Sequence, residues 1–317
     1  MLRAGSREQP RGMEDPDVMN TQSEQSRPET KQAFGAPGAE PRWTQSTKEG
    51  IGTAYHTSCR LWYTISHGII DEIYYPHVDQ PNTRDLQFLI TDGETFCHEE
   101  RRDLEHAIDY PEKGTVLYRL TNSDREGRYR IIKEIAADPH SSVLLMQTRF
   151  EIGDEELRKK LRVFLLLAPH LKRRGWHNSA TICNSDGRAL MHAWREDLNL
   201  AVGCTPDFTR RSVGYVGASD GWQDLQNFKM DWEFSEARDG NIALTAELDL
   251  TQGLECTLGV AFGRTKQSAM TKLLQSLAGL LGVKTLRDKA VEAIGSGTPE
   301  LADGAYDKAA FHRPQGM

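Results

Sequence analysis

The sequence predicts an all-β protein, a large antiparallel β-sandwich with a disordered N-terminal tail and a short helical C-terminal segment. Two observations support this fold class. Apolar and polar residues alternate at period two in many short segments, and Asp-Gly or Gly turns separate those segments at short spacing. Side chains that alternate along a strand lie on opposite faces, so each segment offers one face to a core.

Residues 1–33 are expected to be a disordered tail. They contain Arg, Glu, Gln, Pro and Ser but no aromatic residue, so they bury too little apolar surface to offset their ordering entropy. Met13 and Met19 also permit shorter starts. The tail has no apolar signal core, and no apolar run approaches the roughly 20 residues that span a bilayer. We therefore expect a cytoplasmic protein.

Strand segments recur between residues 85 and 194. They are predicted at 85–90, 95–98, 117–120, 129–135, 143–151, 161–167, 180–183 and 189–194. Turns that contain Asp and Gly join the first, second and fourth pairs, whereas a charged connection joins the third. This spacing is typical of a sandwich.

Residues 228–262 show the most regular alternation in the chain. Phe228, Met230, Trp232 and Phe234 alternate with polar residues, and two further alternating segments follow turns at 238–241 and 251–253. Three strands joined in this way predict an antiparallel meander with one buried face.

Helical spacing replaces strand spacing after Gly263. The apolar residues that predict the first helix are Met270, Leu273, Leu274, Leu277 and Leu281. A second helix is predicted from Leu286 to Ile294, with Thr285 as its N-cap and Gly295 just past its end. The predicted organisation is a tail at 1–33, a sandwich at 34–264, a helical linker at 265–295 and an unstructured tail at 296–317.

Composition and motifs argue against several functions. The net charge of −7 argues against a nucleic-acid or membrane partner, and no metal or cofactor is expected. The five scattered cysteines are interpreted as buried free thiols. His98 and Glu99 would point to opposite strand faces, and the Gly-x-Ser-x-Gly sequence at 217–221 is interpreted as a turn. Paired carboxylates are interpreted as solvated charge.

Aromatic residues gather at 43–75 and at 215–232. Flat rings are good platforms for the C–H faces of sugars, but they are also common in sandwich cores and domain interfaces. Both interpretations remain open at this stage.

The region from about Phe34 to Gln275 contains a series of specific sequence motifs. Its members lie at 33–38, 41–44, 52–55, 60–64, 68–76, 84–93, 124–129 and 214–222. The series resembles the N-terminal domain of bacterial and archaeal glucoamylases of glycoside hydrolase family 15. The resemblance implies a large antiparallel super-β-sandwich, which agrees with the alternation.

In that family the sandwich precedes a helical linker and an (α/α)6 barrel, whose two glutamates hydrolyse terminal α-glucosidic bonds with inversion. Too little chain follows Gly263 for such a barrel, so the resemblance implies a truncated glucoamylase-like protein without catalytic residues. The glutamates Glu72, Glu99, Glu100 and Glu233 belong to the sandwich region and inherit no catalytic role.

Five residues are candidates for an interface or a sugar contact: Trp62, Tyr74, Tyr75, Tyr215 and Trp222. The expected partners are a glucoamylase-type catalytic barrel on a separate chain and an α-glucan oligosaccharide. The alternatives are a stand-alone carbohydrate-binding module, a non-functional fragment, and an enzyme that acts through sandwich carboxylates facing each other across an open cleft.

Overall fold

The computed structural model describes residues 31–54, 56–111, 114–280 and 285–295. Most of the predicted N-terminal tail, Leu281 of the first predicted helix and the predicted C-terminal tail at 296–317 lie outside the described residues. Residues 31–33, which the sequence assigns to the tail, pair with the sandwich. The Ser235 amide donates to the Lys31 carbonyl at 2.8 Å, and the Ala33 amide donates to the Glu236 carbonyl at 2.8 Å.

Seventeen strands and five short α-helices form within the described residues. The strands are β1 (Gly50–Thr53), β2 (Trp62–Ser66), β3 (Ile69–Tyr74), β4 (Thr83–Thr91), β5 (Cys97–Glu99), β6 (Leu104–Asp109), β7 (Tyr118–Asp124), β8 (Tyr129–Ala137), β9 (Val143–Ile152), β10 (Arg162–Pro169), β11 (Asn178–Ser185), β12 (Arg188–Arg195), β13 (Leu198–Thr205), β14 (Arg210–Tyr215), β15 (Glu236–Gly240), β16 (Ile242–Glu247) and β17 (Glu255–Gly263). The helices are α1 (Glu100–Asp103), α2 (Glu155–Lys160), α3 (Gly221–Asp224), α4 (Lys266–Ala278) and α5 (Leu286–Gly295).

The strands form two antiparallel sheets in the described part of the chain. The first sheet has the order β1-β2-β3-β4-β10-β16-β14, with β5 also paired to β4. The second has the order β15-β11-β12-β13-β17-β9-β8-β7-β6. The predicted all-β sandwich is therefore confirmed.

The core lies between the sheets, where alternate strand residues converge. Tyr63 of the first sheet is fully buried there, and its hydroxyl lies 3.1 Å from the Ile135 carbonyl of the second sheet. A buried phenol without a partner would be costly, so this hydrogen bond makes the tyrosine acceptable in the core and links the two layers.

The predicted hairpins have the expected partners. Ile90 pairs with His98, Leu120 with Lys133, and Ile182 with Met191. The charged connection before residue 161 forms α2, whose N-cap Asp154 accepts a hydrogen bond from the Glu156 amide at 2.9 Å.

The predicted meander at 228–262 is wrong. Residues 228–234 form no strand, and the next three strands alternate between the sheets: β15 pairs with β11, β16 with β10 and β14, and β17 with β13 and β9. The predicted turn at 238–241 is instead a passage from one sheet to the other. A short polar connection suits either a hairpin or such a passage.

Residues 228–234 are held away from a ladder by side-chain contacts. Phe228 has a left-handed backbone, with φ of 70°. The buried Asp224 carboxylate accepts the amides of Asp231 at 3.0 Å and Trp232 at 2.9 Å, which replaces the hydrogen bonds of a strand. The apolar side chains divide between two clusters, since Met230 and Phe234 pack in different ones. The apolar–polar alternation of residues 228–234 therefore reflects burial in two separate clusters and not one face of a strand.

Both predicted helices are present. In α4, Leu273 and Leu277 are buried against the outer face of the second sheet, where Gly203 and Gly259 leave room for them. Thr265 caps α4, and the Thr285 hydroxyl accepts the Asp288 amide at 3.1 Å at the start of α5. Helix α5 includes Gly295. Among the described residues, we find no helix with the length and apolarity of a membrane span.

Candidate functional site

Three of the five candidate residues belong to the outer side of the first sheet. Trp62 and Tyr74 are directly opposed on β2 and β3, and both are half-buried. Trp222 lies on α3, which packs on β10 and β16 of the same sheet. Tyr75 and Tyr215 lie elsewhere.

Tyr215 is buried in the core. Its hydroxyl donates to the Arg238 carbonyl at 2.8 Å and accepts the Arg238 amide at 2.9 Å. These bonds hold β15 just before the chain passes to the other sheet, which gives Tyr215 a structural role.

Tyr75 is also largely buried. Its ring stacks on Phe262, with centroids 5.4 Å apart, and the Lys272 ammonium lies 5.8 Å from the Tyr75 centroid. Tyr75 thus connects the end of β3 to β17 and α4.

The Trp62–Tyr74 region contains a compact ionic network. The Tyr74 hydroxyl donates to Glu72 at 2.5 Å, and the Lys48 ammonium lies 2.9 Å from Glu72 and 3.3 Å from the buried Asp71. Burial raises the pKa of Asp71, and nearby Lys48 opposes that shift. Each charge therefore already has a partner.

A β-bulge in β4 changes which side chains face outward. Ala168 pairs with Arg84 and Leu166 with Gln87, so two residues of β4 oppose one residue of β10. Asp85 within this bulge has φ of 50°, a conformation that asparagine and aspartate tolerate best after glycine. Arg84, Asp85 and Gln87 consequently line the same outer cleft.

That cleft, which we name the β4–α3 cleft, has a volume of about 250 Å³. Its polar lining includes Arg84, Asp85, Gln87 and Glu99. The Arg84 guanidinium donates to Asp85 at 2.8 Å, and the Arg101 guanidinium donates to the other oxygen of Asp85 at 3.1 Å. Gln87 donates to Glu99 at 2.8 Å. The polar groups are therefore held in fixed orientations.

The apolar lining of the β4–α3 cleft comes from Leu166, Ala168, Val216, Ala243 and the half-buried Trp222. The Arg102 guanidinium lies 4.8 Å from the Trp222 ring centroid and 3.6 Å from Glu99. Arg102 is half-exposed and contacts both of these lining residues.

Asp220 also reaches the cleft, but its oxygens already accept backbone hydrogen bonds. They accept the Gly217 amide at 2.5 Å and the Gln223 amide at 2.8 Å, as the N-cap of α3 requires. Burial raises the pKa of this carboxyl, and these amides oppose the shift. Ser219, in the Gly-x-Ser-x-Gly sequence, donates to the Phe34 carbonyl at 2.7 Å and so supports a turn.

The other carboxylates singled out in the sequence also have partners. Glu100 pairs with Lys133 in the core, and Glu233 lies 2.8 Å from Arg210. The described residues contain no group of three His, Cys, Asp or Glu side chains suited to a metal ion. His98 contacts the Tyr129 hydroxyl at 2.8 Å instead.

The comparisons with known proteins agree on one family. Residues 33–285 match the family model described as glucodextranase, domain N. A glucoamylase from Clostridium sp. (strain G0005) is 30% identical over 247 residues, which cover 78% of this chain and 35% of that protein. The crystal structure of a bacterial glucoamylase complexed with acarbose superimposes with a TM-score of 0.78 at 29% identity, covering 83% of this chain and 39% of that one. The chain thus spans little more than a third of either relative.

Proposed function

The chain belongs to the glucodextranase domain N family, and on this premise we propose that it is the non-catalytic sandwich domain of a glucoamylase-type hydrolase. It serves the hydrolysis of terminal α-glucosidic bonds in α-glucans and contributes none of the reacting groups. The observation that carries this proposal is the extent of the family match, because residues 33–285 include both sheets and α4.

The state of the carboxylates supports a non-catalytic role. Glycoside hydrolysis requires one carboxyl group as acid and a second as base or nucleophile on either side of the scissile bond. In the β4–α3 cleft, Asp85 is fixed between two guanidinium groups, and Asp220 holds two backbone amides. Both carboxylates therefore already serve as structural hydrogen-bond acceptors.

A rigid basic loop at residues 170–178 offers a surface for a catalytic domain. Lys172 and Arg173 have left-handed backbones, with φ of 56° and 63°. The fully buried Asn82 accepts the Lys172 amide at 2.8 Å, and the fully buried Asn178 accepts the Leu171 amide at 3.1 Å. A strained loop that buried side chains hold in place is typical of functional surfaces.

The charge of the basic loop indicates the chemistry of its partner. Lys172 is paired with Glu196 at 2.5 Å, whereas the side chains of Arg173 and Arg174 are exposed. We propose that these two arginines contact acidic groups on a glucoamylase-type catalytic barrel, where charge complementarity would orient the two domains.

The first experiment measures glucose release from maltooligosaccharides by the purified chain. No release above the buffer control is expected at high protein concentration. Release that one Glu→Gln or Asp→Asn change within residues 34–263 abolishes would contradict the proposal, because it would identify an active site in the sandwich.

The second experiment measures binding to a glucoamylase catalytic barrel produced without its own sandwich domain. The double change Arg173→Glu and Arg174→Glu should weaken binding and reduce its salt dependence. Arg130→Glu together with Arg149→Glu, at exposed positions on the second sheet, is the matched control. Equal weakening by both pairs would argue against the basic loop as the contact.

A further inference from the structure

We propose that the β4–α3 cleft binds one glucosyl ring of an α-glucan oligosaccharide. The choice of an α-glucan rests on the proposed function, whereas the choice of a sugar ring follows from the lining of the cleft. Its volume of about 250 Å³ lies below the roughly 300–1,000 Å³ of sites for drug-sized ligands, so it suits a single ring.

The apolar part of the lining matches the C–H faces of a sugar. Trp222 offers an indole, and Leu166, Ala168 and Ala243 form a small aliphatic surface on β10 and β16. Aromatic and aliphatic surface of this kind packs on pyranose C–H groups, while the ring hydroxyls require polar partners at the periphery.

The polar part of the lining supplies those partners. Asp85, Glu99 and Gln87 present planar groups, and Arg84 presents a guanidinium fork. Asp85 accepts two hydrogen bonds from guanidinium groups, yet a carboxylate has about four acceptor positions. Acceptor capacity therefore remains for sugar hydroxyls, and the existing hydrogen bonds hold the acceptors in place.

The backbone of β4 gives an independent indication. Asp85 is a non-glycine residue with positive φ, located within a strand and inside a β-bulge. Bulges change the direction of side chains beside binding sites, and local strain of this kind concentrates where ligands bind. The bulge brings Asp85 and Arg84 to the same cleft, which regular alternation would prevent.

Arg102 defines how a ligand would enter. Its half-exposed side chain spans Glu99 and Trp222, so a bound ring must either displace the guanidinium from the indole or pack beside it. Two hydrogen bonds to Asp103, at 3.0 and 2.9 Å, also hold the guanidinium, so a ring that packs beside Arg102 costs less than one that displaces it.

The test is calorimetric titration of the whole chain with maltose, supported by saturation-transfer NMR on the sugar protons. Trp222→Ala and Asp85→Asn should each lower the affinity by about tenfold or more, as the loss of a stacking surface or of a charged hydrogen-bond acceptor predicts. Asparagine tolerates the positive φ at position 85, so this variant keeps the bulge. Trp194→Ala on the second sheet is the matched control and should leave the affinity unchanged.

Three outcomes would overturn the inference. They are no maltose binding, binding that neither cleft variant weakens in protein with a native circular-dichroism spectrum, and equal binding of the β-linked disaccharide cellobiose. Glucose release is measured separately. A chain that neither binds maltose nor releases glucose refutes this site alone. Glucose release that one Glu→Gln or Asp→Asn change within residues 34–263 abolishes refutes the proposed function.

Discussion

The Lys133 ammonium lies 2.7 Å from the Glu100 carboxylate, and both side chains are buried. Lys133 belongs to the second sheet, and Glu100 begins α1 directly after β5 of the first. The Gly68 carbonyl accepts from Lys133 at 2.6 Å, and Asn122 donates to Glu100 at 2.6 Å. This pair therefore connects the two layers through hydrogen bonds that satisfy both charges.

Removal of one partner of this pair should be strongly destabilising. Lys133→Met leaves the Glu100 carboxylate buried without its cation, which we expect to lower the free energy of unfolding by about 3–5 kcal/mol. Urea denaturation measures the loss. Adding Glu100→Gln to Lys133→Met should restore part of it. The exposed pair of Arg130 with Glu151 is the control, since Arg130→Met should cost under about 1 kcal/mol.

Stability should fall in mild acid because of His170. Burial, followed by the nearby Arg84, lowers the pKa of His170 to about 4. Because the unfolded imidazole has a pKa of about 6.5, the unfolded chain binds a proton that the native protein does not, and stability decreases between pH 6.5 and 4 by about 3 kcal/mol.

His170→Gln should flatten this dependence. We would compare the urea unfolding free energies of the variant and the native protein at several values between pH 7 and pH 4. Above pH 7 the unfolding free energies of the variant and the native protein should change with pH in the same way. The imidazole is neutral there in both the folded and the unfolded state. An unchanged slope in the variant would exclude His170 as the source.

The contact of α4 with the second sheet should depend on small residues. A Cβ on Gly259 would meet the Leu273 Cδ1 at 2.5 Å, so Gly259→Val should displace the helix at a cost of about 1–3 kcal/mol. Leu273→Ala removes the buried side chain instead and should cost about 2–5 kcal/mol. Thermal melting compares the stability of these two variants with that of Leu274→Ala, which changes a less buried neighbour.

The basic loop should lose its fixed form when Asn178 is changed. Asn178 donates to the Gly175 carbonyl at 2.7 Å and accepts the Leu171 amide at 3.1 Å. Asn178→Ala leaves these backbone groups without side-chain partners and should cost about 1–3 kcal/mol. Hydrogen exchange at residues 170–178 should accelerate, while exchange in the centre of β17 remains slow at native pH. Unchanged exchange in the loop would refute this role.

Local patterns predict pairs of neighbouring strands but not their assignment to sheets. The hairpin of β11 and β12 is evident because Asp186 and Gly187 form a tight turn between alternating segments. By contrast, β15 and β16 also show alternation around a short turn, yet they lie in different sheets. The sheet that a strand joins depends on its pairing with strands far away in the sequence, and no short sequence window contains that information.

The candidate site was predictable in part. The aromatic signal selected Trp62, Tyr74 and Trp222, which the structure places on one side of the first sheet, and their binding roles remain predictions. The same signal selected Tyr215, which is buried in the core. It missed Asp85 and Gln87. A sequence sign for them is that Thr83, Arg84 and Asp85 are consecutive polar residues at the start of β4, where a regular half-buried strand would alternate.

The passage of the chain between sheets has a consequence for synthesis. Strand β10 lies between β4 and β16, and β9 lies between β8 and β17. A nascent chain that ends before residue 242 therefore leaves a central strand of each sheet with one unpaired edge. Neither sheet is complete until its last strand leaves the ribosome, so we expect late and slow folding, with strand edges exposed until then.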